Sequence, residues 1–467
     1  MKNKTKIVAT LGPSTEDPKI LADLMKNGLS VARLNMSHGN HEEHAKRITA
    51  IREAEKVSKS LIATLLDLSG PKIRTGEVKN GQITLKKGDS VKIVFKPIIG
   101  DENNLYINYS GLRKELKPGA IILLDDGKRS LCVTSIGEDY VNTKVEMGGM
   151  IRGRRGVNIP GANLKISAIT EKDKKDLLFG IKQDVDFVAL SFVRSVKDIQ
   201  DLKRLLQKNK SSAKIVAKIE TPEAVSCIDE IIKETDAIMV ARGDLAIEVG
   251  IEKIPTIQKM IIEKCNTAGV PVIVATQMLL SMVENETPTR AEISDIANAI
   301  YDGADAIMLS EETAIGKYPK KVVSLMQRVA CVVEENLPNY KKIEVMKDNI
   351  ADSVSSSVVH NANQVGASAI IALTESGFTA RMLSRYKSSL PIYAISSSQK
   401  TLRSLMISFG VLPIYHTGAK TFDEARKIAI EIAKEKCNLK KGEKYVIAAG
   451  LKQGKSGSTN LMLIENI

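Results

Sequence analysis

Short apolar runs rich in β-branched residues alternate with longer amphipathic stretches through the first two thirds of the chain. Segments 6–11, 31–35, 61–67, 187–191, 215–219, 237–240, 270–276 and 306–309 have the continuous apolar character of strands covered on both faces. Segments 17–27, 41–58, 254–267 and 290–301 carry helical spacing between them. Such alternation predicts parallel strands joined by helical crossovers, and eight units are the count for a closed (β/α)8 barrel. An open doubly wound sheet is the alternative.

One connection breaks the rhythm. Between Asp67 and Val185 the pattern shifts to short strands and turn signals, with strand-like runs at 81–85, 91–95, 121–124 and 140–145. The reading is a small β domain inserted after the third strand. Segment 338–347 reads as a linker, after which a second α/β pattern begins. Its strand-like runs are 369–374, 391–395, 412–415, 444–448 and 461–464, with a helix over 421–437. The predicted layout is therefore a barrel over 1–70 and 157–338, a β lid over 71–156, and a C-terminal α/β domain over 345–467.

Composition narrows the class. The 467 residues are 43% hydrophobic and 26% charged, in the ordinary range for a globular protein. No apolar run approaches the ~18 residues of a membrane span. Met1-Lys2-Asn3-Lys4-Thr5-Lys6 leads directly into a strand, unlike a secretory leader. The five cysteines are scattered without a C-x-x-C pair, which suits reduced thiols in the cytoplasm. The net charge of +13 raises the question of nucleic acid, but the chain has no Trp and only 4% aromatic residues. Attraction of anionic metabolites is the simpler expectation. Residues 71–157 hold sixteen Lys/Arg against ten Asp/Glu, so the lid itself is basic.

In a barrel the active site gathers at the C-terminal ends of the strands. Those ends carry Arg33, Asn35, Ser37, Asp67, Lys218, Glu220, Arg242, Asp244, Thr276, Ser310 and Glu312. Lys218-Ile219-Glu220 is informative, because period-two alternation turns both polar side chains to one side. Asp244 brings a second carboxylate from the next strand. Two carboxylates, completed by water and substrate oxygens, are the usual protein contribution to a Mg²⁺ site. Lys218 and Arg33 would then neutralise charge on a phosphoryl group. The Arg242-Gly243-Asp244 turn offers backbone N–H groups to an anion.

Two further patterns carry less. Ala449-Gly450-Leu451-Lys452-Gln453-Gly454-Lys455-Ser456 approximates a phosphate-binding loop, but such a loop needs a helix next, and an apolar strand-like run follows instead. His38, His41 and His44 resemble a metal cluster, yet solvated histidines at a helix start account for them.

With these residues in view, the chain resembles the pyruvate kinase family along its length. The matching blocks are Thr5-Lys6-Ile7-Val8-Ala9-Thr10-Leu11-Gly12-Pro13, Arg33-Leu34-Asn35-Met36-Ser37-His38-Gly39 and Gly70-Pro71-Lys72-Ile73-Arg74-Thr75-Gly76. They continue with Lys218-Ile219-Glu220, Ala241-Arg242-Gly243-Asp244-Leu245, Ala275-Thr276-Gln277-Met278 and Pro288-Thr289-Arg290-Ala291-Glu292. The resemblance implies phosphoryl transfer from phosphoenolpyruvate to ADP in a cytoplasmic homotetramer. It implies Glu220 and Asp244 as ligands of Mg²⁺ or Mn²⁺, with Lys218, Thr276, Arg33 and Arg74 as catalytic residues. Substrate would meet Arg33, Lys218, Gly243, Asp244 and Thr276. Asn35, His38, Arg74 and Arg155 would face the nucleotide. In the C-terminal domain, Thr374-Glu375-Ser376-Gly377-Phe378-Thr379 resembles an effector-phosphate loop, implying activation by a sugar phosphate or nucleotide monophosphate.

One departure matters. Many family members bind K⁺ and carry Asp-Thr-Lys-Gly-Pro-Glu where this chain has Asp67-Leu68-Ser69-Gly70-Pro71-Lys72. The cation site would comprise Asn35, Ser37 and Asp67, with the ammonium of Lys72, opposite Asp67, replacing K⁺. The alternative is a solvent-facing Lys72. Ser310, where the family often has Gly, is a smaller departure that leaves Glu312 in place. A metal-dependent lyase or aldolase barrel, and a catalytically dead regulatory or RNA-binding protein, are the rival classes.

Overall fold

The computed structural model describes residues 3–162, 166–417, 422–435, 439–450 and 457–467. Its centre is a closed barrel of eight parallel strands: β1 (Lys6–Thr10), β2 (Leu29–Asn35), β3 (Ala63–Asp67), β4 (Phe187–Leu190), β5 (Lys214–Ile219), β6 (Ala237–Ala241), β7 (Val272–Ala275) and β8 (Ala306–Leu309). Closure comes from β8 pairing with β1, Lys6 opposite Ala306 and Ala9 opposite Leu309. All eight predicted runs are barrel strands, and the open-sheet alternative is excluded. The strands are buried on both faces for a simple reason. Val8, Leu65, Phe187, Val216, Met239 and Ile273 fill the interior, while Ile7, Leu34, Leu66, Ile219 and Val274 pack outward against the helices.

Four helices of this ring bear on the site: α1 (His41–Ser58), α2 (Glu171–Lys182), α3 (Arg242–Val249) and α4 (Arg290–Asp302). The histidine pattern dissolves in this setting. His41 stacks on Phe179 at 4.5 Å and meets Asp176 at 2.7 Å. His44 is buried rather than solvated, its Nε2 lying 2.9 Å from the His38 carbonyl.

After β3 the chain leaves the barrel to build the lid, a six-stranded sheet beside a two-stranded one. The lid has its own core, including Val91, Ile93, Leu105, Ile122, Leu131 and Val141. All four strand runs expected there are present, at Gln82–Leu85, Ser90–Val94, Ile121–Leu124 and Tyr140–Met147. Arg129–Ile136, which pairs with two of them, went unrecognised because its outward positions are polar and dilute the apolar signal.

The C-terminal domain opens with α5 (Ile350–Gln364), followed by β9 (Ala369–Leu373), α6 (Phe378–Ser384), β10 (Ile392–Ser396), β11 (Val411–Tyr415), β12 (Lys444–Ala449) and β13 (Leu461–Asn466). The sheet order is β11-β10-β9-β12-β13, with β13 antiparallel. The helix predicted over 421–437 spans Phe422–Glu435, its outermost predicted residues falling outside those described. Most of the phosphate-loop mimic, residues 451–456, also lies outside them, but the element that follows is the strand β13. Among the described residues no helix is long and apolar enough to cross a membrane.

The predicted linker has no regular structure between Glu335 and Ile350, yet it is tied down. Lys341 donates its backbone N–H to Tyr386 (2.6 Å) and its ammonium to the Asp302 carbonyl (2.8 Å). Beside it, Lys387 and Asp305 form an ion pair of 2.7 Å in which each side chain is 5% exposed. Asp305 also accepts the N–H groups of Phe409 and Val272, so one carboxylate joins the floor of the barrel to the C-terminal domain. Removing one partner of a buried pair strands the other charge. Lys387→Met is therefore expected to lower stability by about 3–5 kcal/mol in urea unfolding; a loss below about 1 kcal/mol would contradict a pinning role.

Candidate active site

The deepest part of the site is built from strand ends. Lys218, on β5, is 9% exposed, and its ammonium lies 2.6 Å from Ser191 Oγ, 2.9 Å from Glu220 Oε1 and 3.2 Å from Asp67 Oδ1. Asp67 in turn accepts a 2.7 Å bond from Arg33 Nε, and Arg33 Nη1 donates to Thr10 Oγ1 at 2.8 Å. Burial alone would drive each of these groups toward neutrality. The geometry prevents it at two of them. Burial would lower the Lys218 pKa, but Asp67 and Glu220 hold it well above the ordinary lysine value. Burial would raise the Asp67 pKa, but Lys218 and Arg33 hold it below the ordinary carboxylate value.

Glu220 behaves differently. Burial raises its pKa, Lys218 pulls against that, and Asp244 adds repulsion, so the net shift is upward. Its Oε2 accepts the Phe192 N–H at 2.7 Å. Its Oε1 sits at ion-pair distance from Lys218 yet receives no aligned hydrogen bond, although the residue is 1% exposed. A buried carboxylate oxygen left in this way, with a second carboxylate close enough to repel it, is what a divalent cation would complete. Asp244 is that second carboxylate, in the first turn of α3 and on the wall of the cleft above. The donor set therefore fits Mg²⁺ or Mn²⁺. Among the described residues no three His, Cys, Asp or Glu side chains gather as a cation site, so the protein's own contribution would be these two carboxylates.

Thr276 follows β7 in a strained conformation. It and Gln277 have φ of 73° and 56°, the left-handed region that a β-branched residue rarely enters. Arg242 over-determines the turn. Its guanidinium donates to the carbonyls of Ala275 (3.1 Å) and Thr276 (2.7 Å), and is itself held by both oxygens of Asp295 (2.6 and 2.7 Å). Thr276 Oγ1 accepts the Gly243 N–H at 2.9 Å. The Gly243 donor that the sequence offered to an anion thus has an internal partner, and the Thr276 hydroxyl itself donates to the Ala275 carbonyl at 2.6 Å.

Above these groups a cleft of about 360 Å³ opens between barrel and lid. Lys72, Arg74, Arg154, Arg155 and Arg194 line it together with six carboxylates, among them Asp125, Asp244 and Glu248, and Arg155 is paired with Asp125 at 3.5 Å. Burial, then Lys72 and Arg74, holds the His38 imidazole below its ordinary pKa. Asn158, on the strand by which the chain leaves the lid, donates to Glu248 on α3 at 2.9 Å.

The structure thus gathers Arg33, Asp67, Lys218 and Glu220 in one network, and lines the cleft with His38, Lys72, Arg74, Arg155 and Asp244. Asn35 and Ser37 close the turn after β2, Asn35 Oδ1 accepting the Ser37 N–H. Lys72 is exposed and makes no ion pair among the described residues; Arg33 and Lys218 already occupy Asp67. The expected opposition of Lys72 and Asp67 is replaced by a lysine at the cleft wall. Glu312 turns inward, its carboxylate accepting the N–H groups of Leu279 and Ser310, and serves as scaffold. Ser191, Phe192, Thr10 and Asp295 were not singled out in the sequence. Phe192 left no signal, since its role is carried by a backbone N–H at a φ of 53°.

Known proteins decide what this architecture belongs to. Residues 2–323 match the model of the pyruvate kinase barrel domain, and residues 352–465 that of its alpha/beta domain. The chain belongs to the pyruvate kinase family. It is 43% identical over 474 residues to a pyruvate kinase of Geobacillus stearothermophilus, covering all of this chain and 81% of that one. It is 43% identical over 479 residues to a pyruvate kinase of Clostridium perfringens, covering 99% and 100%. A pyruvate kinase of Bacillus licheniformis is 44% identical over 469 residues, covering 99% and 80%. Within the family frame, Asp295 acts on the Thr276 turn at one remove. Asp295→Ala is expected to lower kcat about 10–100-fold with KM little changed, as for a misplaced reactive group. An unaltered kcat would show that the turn holds itself.

Proposed function

We propose that this protein transfers the phosphoryl group of phosphoenolpyruvate to ADP, giving pyruvate and ATP. The observation that carries the reading is the buried Lys218 ammonium, held between Asp67 and Glu220 beside Arg33. Glu220 and Asp244 are the residues suited to hold the divalent cation, Mg²⁺ or Mn²⁺. When bound, that ion supplies charge neutralisation to the phosphoryl oxygens. Lys218 and Arg33 contribute fixed positive charge at the same group, already oriented before substrate arrives. Thr276 orients the substrate carboxylate and hands a proton toward the enolate carbon. Arg74, Arg155, His38 and Asn35 receive the phosphates of the nucleotide. No covalent enzyme intermediate is needed.

Pyruvate formation from phosphoenolpyruvate should require both ADP and the divalent cation, and Glu220→Gln should lower kcat about 100–1000-fold. Product without ADP would point to hydrolysis of phosphoenolpyruvate, and no product to a lyase acting on another substrate or to a catalytically silent protein.

We also propose that the enzyme turns over without K⁺, with the exposed ammonium of Lys72 supplying monovalent charge from the cleft wall rather than opposite Asp67. Replacing K⁺ by tetramethylammonium at constant ionic strength should leave turnover within about twofold; a collapse would overturn this. The loop Thr374–Thr379 is the proposed seat of a phosphorylated activator, supported by the left-handed Gly377 (φ 80°) at the start of α6. If Ser376→Ala responds to every sugar phosphate and nucleotide monophosphate as the wild type does, that seat is wrong. A homotetramer in the cytoplasm completes the reading, and light scattering on the purified enzyme tests its mass.

A further inference from the structure

Between the floor of the barrel and the C-terminal domain lies a crevice that phosphoryl transfer does not use. Its outer chamber, about 180 Å³, is bounded by Lys214, Asp236 and Pro271 on the barrel and by Phe378, Arg381 and Met382 on the other side. A chamber of about 10 Å³, wide enough for one oxygen-sized group, adjoins it. The two share Gly269, Val270, Pro271 and Arg381, and Asn266, Arg385 and Ser408 border the smaller one.

Polar groups accumulate here without partners. Asn266 is 2% exposed with both amide atoms unbonded, Arg385 is 2% exposed with Nε unbonded, and Ser408 is fully buried with its hydroxyl unbonded. Buried polar groups are almost always satisfied, so this cluster beside the smaller chamber calls for a partner there, a water or one oxygen of a bound group.

The charges point the same way. Asp236 is paired with Lys214 at 3.1 Å, Asp305 with Lys387 at 2.7 Å, and Asp352 with Arg385 at 2.8 Å. Arg381 has no carboxylate partner among the described residues. Its Nη1 donates to the Ser376 carbonyl at 3.2 Å, and burial lowers its pKa with only weak support from Asp236. The crevice therefore offers an uncompensated guanidinium, a group whose planar fork matches phosphate, next to the apolar surfaces of Phe378, Met382 and Pro271.

We propose that this crevice binds a small phosphate monoester, the phosphate on Arg381 and the carbon body against Phe378 and Met382. The proposal is independent of the phosphoryl-transfer reading. The outer chamber falls below the roughly 300–1,000 Å³ of sites for drug-sized ligands, which restricts the body to a few carbons and excludes a nucleotide. Because both domains line it, the occupant ties them together and raises the unfolding temperature of the full chain.

Calorimetric titration of the full-length protein with glycerol 3-phosphate, inorganic phosphate, glycerol and AMP tests this, with melting curves alongside. Glycerol 3-phosphate should bind and raise Tm, inorganic phosphate should bind at least tenfold more weakly, and glycerol and AMP should not bind in the crevice. Arg381→Met should weaken the ester at least tenfold, while Arg381→Lys should weaken it less. Phe378→Ala, on the same helix as Arg381, should weaken the ester and leave inorganic phosphate unchanged. Far-ultraviolet dichroism and basal turnover show whether each variant is folded. Unchanged affinity in folded Arg381→Met would assign the ester to the cleft between barrel and lid and overturn the proposal. Loss on Ser376→Ala but not on Arg381→Met would assign it to the effector loop with the same result. Equal affinities for ester and inorganic phosphate, both indifferent to Phe378→Ala, would reduce the site to a free-phosphate site and overturn the ester assignment.

Discussion

A lysine ammonium held almost entirely out of water, between two carboxylates and a serine hydroxyl, is the constraint around which the rest of this molecule is arranged. A charge in that position is tolerable only if its partners are fixed, because an unpaired ion there would be far more costly than any single contact it replaces. Asp67 comes from β3, and Lys218 and Glu220 from β5 and its end, so the pairing of β3, β4 and β5 in register is what lets them meet. The pairing of β2 with β3 also brings Arg33 to the second oxygen of Asp67. The fold and the electrostatics are in that sense one problem: the strands supply the register, and the ion network uses it at their C-terminal ends.

The same dependence explains why so much was legible in the linear chain. Barrel strands are buried on both faces, so their apolar runs are continuous and their ends are marked by an abrupt change to charged or hydroxyl side chains. Arg33, Asp67, Lys218, Glu220, Asp244 and Thr276 could be found that way because each lies at or just beyond the end of a strand. The lid was less legible. Its strands carry a solvent face, and Arg129–Ile136 hides among polar alternation.

What escaped sequence reading falls into two physical kinds. Some functions belong to the backbone: the N–H of Phe192 reaches Glu220 through a conformation that side-chain pattern does not encode, and the Gly243 N–H is spent on Thr276. Others are relations between remote side chains. Asp295 lies on a helix surface and reads as an ordinary exposed carboxylate until Arg242 is seen reaching it. Lys72 illustrates the converse, since its neighbours in sequence suggested a partnership with Asp67 that Arg33 and Lys218 had already filled.

The single bond from Asn158 to Glu248 gives the lid a mechanical meaning. Glu248 is just over one helical turn from Asp244 on α3, and Asn158 sits where the lid strand returns to the barrel. A hinge fastened at that point would work as a lever: a swing of the lid would apply torque to the short helix that carries Asp244, the carboxylate proposed as a cation ligand. Clamping of the nucleotide from above and tightening of the cation site from below would then be two ends of one motion, transmitted by an amide and a carboxylate that touch neither substrate.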